Sequence, residues 1–142
     1  MTQRTWEATP GRTLVGRLER GTDLVAEIER ICAERDITAA GVSVIGAVSH
    51  AAFAYYEQTD HRYLELGSDT HHEITGFIGN VSLREGAPFL HAHATFADAQ
   101  GACVGGHLLR GTVVFVAEFE IREMTGVELV RTHDEEFGLA LW

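Results

Sequence analysis

The sequence predicts an α+β domain in which a mainly antiparallel sheet is covered on one face by one principal helix. Three observations carry this reading. One stretch near the N-terminus places apolar residues at three- and four-residue steps. Nearly everything after residue 39 falls into runs of β-branched, aromatic or small residues separated by turn signals. The chain has 142 residues, 45% hydrophobic and 23% charged, enough for one core and too little for two. Residues 1–142 therefore read as a single domain, its core lying between about residues 12 and 140, with no repeat, linker or low-complexity tract.

The elements follow in order. "TLVGRLER" alternates Leu14, Gly16 and Leu18 against Val15, Arg17 and Glu19, as a strand with one apolar face does. In "GTDLVAEIERICAERD" the stripe Leu24, Val25, Ile28, Ile31 and Cys32 opposes Glu27, Glu29, Arg30 and Glu34. Thr22 or Asp23 can cap the start, so a helix over 23–35 is expected. "GVSVIGAVSHAAFAYY", "RYLEL", "HEITGFIGNVSLREG" and "TVVFVAEFEIREM" read as strands, with turns at "EGAP", "DAQG" and "MTG". Pro10 and Pro88 fall at strand starts or in the preceding loops, where a missing amide donor does little harm. The small residues between 39 and 54 would let another backbone, of this chain or of another subunit, approach closely.

Charge and cysteine content narrow the function classes. The formal net charge is −10, and all 11 basic residues are arginine. Without lysine, Schiff-base catalysis and a phosphate-loop lysine are excluded. No basic face is visible, which argues against direct nucleic-acid binding. Arg17 and Arg20, flanking Glu19, read as a solvated strand end. The N-terminal "MTQRTWEATPGR" is polar, Cys32 and Cys103 make no disulfide framework, and the least polar run, 39–56, is a poor membrane span; a cytoplasmic location is expected.

The segment "PFLHAHATFADAQGACVGGHLLRG" sets His91, His93 and His107 in a stretch that otherwise reads as protein interior. Alternate strand residues share a face, so His91 and His93 point the same way, about 6.6 to 7 Å apart along the strand. Two imidazoles so placed can each bring a nitrogen to about 2.0 to 2.1 Å from one zinc ion. If "ADAQG" turns the chain back, paired residue numbers add to a constant near 200, which puts His107 opposite His93. A constant of 199 would put Ala92 there instead, unless a bulge at Gly105 and Gly106 restored the aim. Ala92, Ala94, Gly105 and Gly106 would leave room for the rings. One histidine on an apolar strand is ordinarily a satisfied core residue, whereas three on one face point to a divalent metal, zinc first. Cys103 shares the parity of His107 as a substitute ligand, although a small buried hydrophobe is its more ordinary role. Asp98 and Glu118 are candidate acceptors for an imidazole N–H. His71 and His72 read as loop residues, and His50, His61 and His133 have no partner at ligand spacing.

The run from Arg84 to Ile121 closely resembles the plant and prokaryote conserved (PPC) domain, also known as DUF296. Its pattern G-x-P-F-x-H-x-H, a short turn, G-G-H-L and a strand with A-E is met by Gly86, Pro88, Phe89, His91, His93, Gly105, Gly106, His107, Leu108, Ala117 and Glu118. "GVSVIGAV" is similar to the family's G-x-S-x-x-G-A segment, with Gly41, Ser43, Gly46 and Ala47. "HEITGFIGNVSL" is similar to its E-I-x-x-x-x-G-N-x-S stretch, with Glu73, Ile74, Gly79, Asn80 and Ser82. The resemblance covers residues 12 to 140, roughly, and implies a homotrimer in which the three histidines bind metal. In plants the domain follows an AT-hook that reads A·T-rich DNA. This sequence has no "RGRP" core, so the DNA-reading part of the resemblance does not transfer.

Two functions are consistent with these features. One is a homotrimeric regulator or scaffold whose site His91, His93 and His107 is structural or sensory. The other is a zinc-dependent hydrolase or lyase in which the same histidines leave a fourth position for a water whose pKa falls toward about 7, on a small-molecule ligand. Glu73 and Glu118 are the candidate general bases. A cupin also uses H-x-H with a later histidine. It wants a glutamate soon after the pair, where this chain has only Asp98, and the early helix fits a jelly roll poorly.

Overall fold

The structure, a computed structural model, describes residues 3–142; Met1 and Thr2, which begin the polar N-terminal stretch, lie outside the described residues. The order is β1 (Thr9–Leu18), α1 (Leu24–Glu34), β2 (Ala40–Glu57), β3 (Arg62–Ser68), β4 (His72–Arg84), β5 (Ala87–Ala97), β6 (Cys103–Leu108), β7 (Val113–Thr125), β8 (Thr132–Asp134) and β9 (Leu139–Leu141). Seven strands form one antiparallel sheet in the order β1-β7-β2-β4-β5-β6, with β3 also paired to β2. β8 and β9 form a separate hairpin.

The 18-residue β2 organises the sheet, because its two halves have different partners. Residues 40–48 lie between β4 and β7, whereas 51–57 pair with β3 and Phe53 and Ala54 meet β6. The path β2-β4-β5-β6 thereby closes back on β2 around a core in which Phe53 and Phe96 stack at 5.9 Å. Small side chains permit this closure. At Gly46 (φ 148°) a Cβ would sit 2.0 Å from the Val116 carbonyl oxygen, so the backbone approach expected from the small-residue segment is made by β7 of the same chain.

Helix α1 begins where Asp23 caps it, its side chain accepting the Ala26 N–H at 2.9 Å, and buries Leu24, Val25, Ile28 and Cys32. The opposite face carries the Arg30 ion pairs with Glu27 and Glu34. Glu29 ties the helix to the sheet, accepting the Leu90 N–H at 3.0 Å and pairing with Arg110. "EGAP" forms a two-residue hairpin loop between Arg84 and Ala87, with Glu85 and Gly86 both at positive φ (53° and 79°), the twist a tight hairpin needs. No helix is long and apolar enough to cross a membrane among the described residues.

Candidate metal centre

β5 separates its side chains by parity. Leu90, Ala92, Ala94 and Phe96 are buried in the core, while His91, His93 and Thr95 share the other face. The trio therefore lies on the outer face of the sheet, not in its interior, and Ala92 and Ala94 fill the core instead of making room for the rings. His93 is exposed, and His91 and His107 are half-buried.

The β5–β6 register pairs His93 with His107, Ala94 with Gly106 and Thr95 with Gly105, so the residue numbers sum to 200 and no bulge intervenes. The two glycines have another role: β6 is squeezed between β5 and β2. A Cβ at Gly105 would lie 2.1 Å from the Ala94 carbonyl oxygen, and one at Gly106 would lie 2.5 Å from that of Ala54. Ring centroids are separated by 5.2 Å (His91–His93), 5.1 Å (His91–His107) and 5.6 Å (His93–His107). One nitrogen from each ring lies within 4.8 Å of the others. Tetrahedral zinc wants nitrogens about 3.4 Å apart, so the rings must draw together by about an ångström to share an ion.

The chemistry of the donors fits a divalent cation. Burial, with the neighbouring imidazoles and the Arg131 guanidinium, pushes His91 and His107 down to about 4, so both rings are neutral ligands at pH 7. Among the described residues the trio's one side-chain hydrogen bond is between Arg131 Nη2 and His91 Nδ1, at 3.4 Å. Arginine can only donate, so Nδ1 is the acceptor and the neutral ring carries its proton on Nε2. An ion must either displace this long contact at Nδ1 or meet a rotated ring.

Around the trio stand residues that sequence reasoning did not place. Arg131 is 8% exposed; its Nε donates to Ser82 Oγ (2.8 Å), Nη1 to the Ala140 carbonyl (3.0 Å) and Nη2 to Asn80 Oδ1 (3.0 Å). Asn80 is His91's cross-strand partner and Ser82 is Phe89's. Two polar residues at alternate positions of the otherwise apolar stretch 76–83 were a readable signal, but the arginine they hold comes from beyond β7. Tyr63 lies over His107, with ring centroids 4.8 Å apart. A cavity of about 720 Å³ opens beside His107, walled by Tyr63, Arg84, Phe89, His50 and Arg110.

Other sequence expectations fall elsewhere. Cys103 is exposed and outside the trio, neither a ligand nor a buried hydrophobe. Asp98 Oδ1 caps its own turn through Gln100 N and Ala102 N, both at 2.9 Å. Glu73 and Glu118 line two other surface depressions, separate from the cavity at His107. His72 opens β4 and is buried, its Nδ1 2.8 Å from the Thr70 carbonyl oxygen, so it is not a loop residue. His50, left without a partner by spacing, sits 2.7 Å from Asp69 Oδ1.

Comparison with known proteins places this architecture. Residues 6–125 match the family model of the Plants and Prokaryotes Conserved (PCC) domain. A metal-containing protein from Archaeoglobus fulgidus superimposes with a TM-score of 0.94 at 36% identity, covering 99% of both chains. A plant- and prokaryote-conserved (PPC) protein from Pyrococcus horikoshii follows at 0.92 and 34%, covering 99% of this chain and 96% of that one. A candidate DNA-binding protein from Ralstonia eutropha JMP134 gives 0.80 at 25%, over 89% and 88%. The bifunctional protein GlmU of a Synechococcus strain is 32% identical over 86% of this chain; the match spans only 18% of that protein's length.

Proposed function

The chain belongs to the Plants and Prokaryotes Conserved (PCC) domain family, and from that premise we propose that it is a cytoplasmic, homotrimeric, metal-binding module with a regulatory or scaffold role. His91, His93 and His107 hold the ion, and zinc is the ion their donor set suits best. The observation that carries this reading is the convergence of three imidazoles, two of them held neutral, with ring nitrogens inside 4.8 Å and almost no hydrogen bonding of their own. The likeness to a metal-containing protein supports it. A net charge of −10 per chain argues against direct reading of DNA, since a phosphate backbone would be repelled.

A second reading, a zinc-dependent hydrolase or lyase, draws on the cavity at His107, which gives a small molecule room beside the trio. Bound zinc would supply Lewis-acid chemistry there. This chain's own residues would shape the pocket, with Tyr63 and Phe89 as apolar walls and Arg84 at the rim.

Metal analysis of protein purified without a histidine tag, beside His91→Ala, His93→Ala and His107→Ala, tests the shared premise. One equivalent of zinc per chain in the parent and its loss in each variant is expected; a zinc-supplemented parent that carries no metal would remove both readings. Sedimentation velocity reports the trimer. Binding to an A·T-rich duplex at physiological salt should be undetectable.

A further inference from the structure

Two arginines beside the trio are not paired with any carboxylate. Of the arginines in the described residues, Arg12, Arg30, Arg62, Arg110 and Arg122 have carboxylate partners within ion-pair distance. Six have none: Arg4, Arg17, Arg20 and Arg35 elsewhere on the chain, and Arg84 and Arg131, which both lie against Phe89. Arg131 is nearly buried and satisfied entirely by neutral acceptors, Ser82, Asn80, the Ala140 carbonyl and His91. Arg84 is exposed at the cavity rim, and its guanidinium makes no hydrogen bond. Both guanidiniums stack on one ring, their carbons 5.1 Å (Arg84) and 5.5 Å (Arg131) from the Phe89 centroid. Both also act on the Tyr63 phenol, opposing the rise that burial gives its pKa.

A buried cation without a paired anion is costly, and a metal ion held by three neutral imidazoles would add two more positive charges. The acids near the cavity do not supply the balance. Glu29 is taken by Arg110 and the Leu90 N–H, and Asp69 by His50. Glu65 also lines the cavity, on the β3 wall, without an ion pair to Arg84 or to any other arginine among the described residues.

We propose that this cavity is a subsite for an organic oxyanion, a carboxylate or phosphate, whose charged group sits between Arg84 and the trio and whose apolar body lies along Tyr63 and Phe89. Arg84 makes the direct contact, since four of Arg131's five N–H groups are already engaged and it acts through charge. The subsite rests on the proposed metal reading only through the ion, which would be the second anchor.

Calorimetric titration of the protein with benzoate, phenyl phosphate and the neutral isostere benzamide tests this, each in zinc-loaded and chelator-treated protein. Either anion should bind at least about tenfold more tightly than benzamide, a difference of about 1.4 kcal/mol. In chelator-treated protein Arg84→Gln should abolish that preference and Arg84→Lys restore part of it; in zinc-loaded protein Arg84→Gln should reduce it. The two anions separate a carboxylate from a phosphate preference. Equal binding of benzamide, or anion binding indifferent to Arg84→Gln, would overturn the subsite. Anion selectivity that persists in chelated protein, with zinc never taken up, would sink the metal reading and leave the subsite standing; zinc uptake without anion selectivity would do the reverse. Because Arg84 is exposed, its variants should fold, and a circular dichroism melt checks that they do.

Discussion

His93 and His107 face each other directly across the β5–β6 ladder, and the glycines beside His107 are what let the two strands meet there. Gly105 and Gly101 provide a matched test. A methyl group at Gly105 would meet the Ala94 carbonyl at 2.1 Å and cannot be accommodated without displacing β6. Gly105→Ala should cost about 1 to 3 kcal/mol by overpacking and weaken zinc binding with it. Gly101, in the turn at φ 80° with open space around it, should cost about 1 to 2 kcal/mol from backbone conformation alone. Zinc affinity in Gly101→Ala should stay at the parent value. If both substitutions left zinc affinity equal, β6 placement would not govern the site.

Arg131 should stabilise the fold while opposing the ion. Arg131→Met strands half-buried Asn80 and fully buried Ser82, for about 1 to 3 kcal/mol of lost stability. It also removes a positive charge and the donor that competes for His91 Nδ1, so zinc should bind about tenfold more tightly. A lower melting temperature together with tighter zinc binding is the expected pair of results. A drop in both would mean that the arginine chiefly orients His91.

The fold was legible in the sequence because its elements satisfy local rules. The 3.6-residue stripe from Leu24 to Cys32, the Asp23 cap and the alternation of β1 are each readable within a dozen residues. The trio was legible because one hairpin register decides it, and the turn "DAQG" sets that register. Which face it occupies was not. β5 has apolar residues on both sides of its pleat, and only closure of β2 onto β6 settles which side becomes core. Arg131 lies 40 residues from His91. It arrives through the parallel bridge between Leu83 and Val130, a tertiary contact with no periodicity to announce it.

The histidines predict how apoprotein stability depends on pH. His91 and His107 are pushed down to about 4 when folded, chiefly by burial, whereas an unfolded histidine titrates near 6.5. Between those values the unfolded chain binds protons that the folded chain does not, so stability rises with pH from about 4 to 6.5 and flattens above. Metal-free protein should lose thermal stability as pH falls through this window. The His91→Gln, His107→Gln double variant should show a shallower slope. Parallel slopes in parent and variant would place the acid sensitivity in other groups.

Asp23 joins the helix to the strand that follows the trio. One carboxylate oxygen caps α1 through Ala26 N–H, and the other accepts the Gly111 N–H at 2.5 Å, just after β6 ends. Loss of a cap costs about 1 kcal/mol and an orphaned amide a similar amount, so Asp23→Ala should destabilise by about 2 kcal/mol in urea unfolding. Asp23→Asn keeps an acceptor for the cap but can present only one carbonyl oxygen, and should recover about half. The larger effect of the alanine variant should be accompanied by faster amide exchange at Leu109 to Gly111, because that loop loses its anchor to the helix. Exchange confined to the first turn of α1 would show that the Gly111 contact contributes nothing to holding the end of β6.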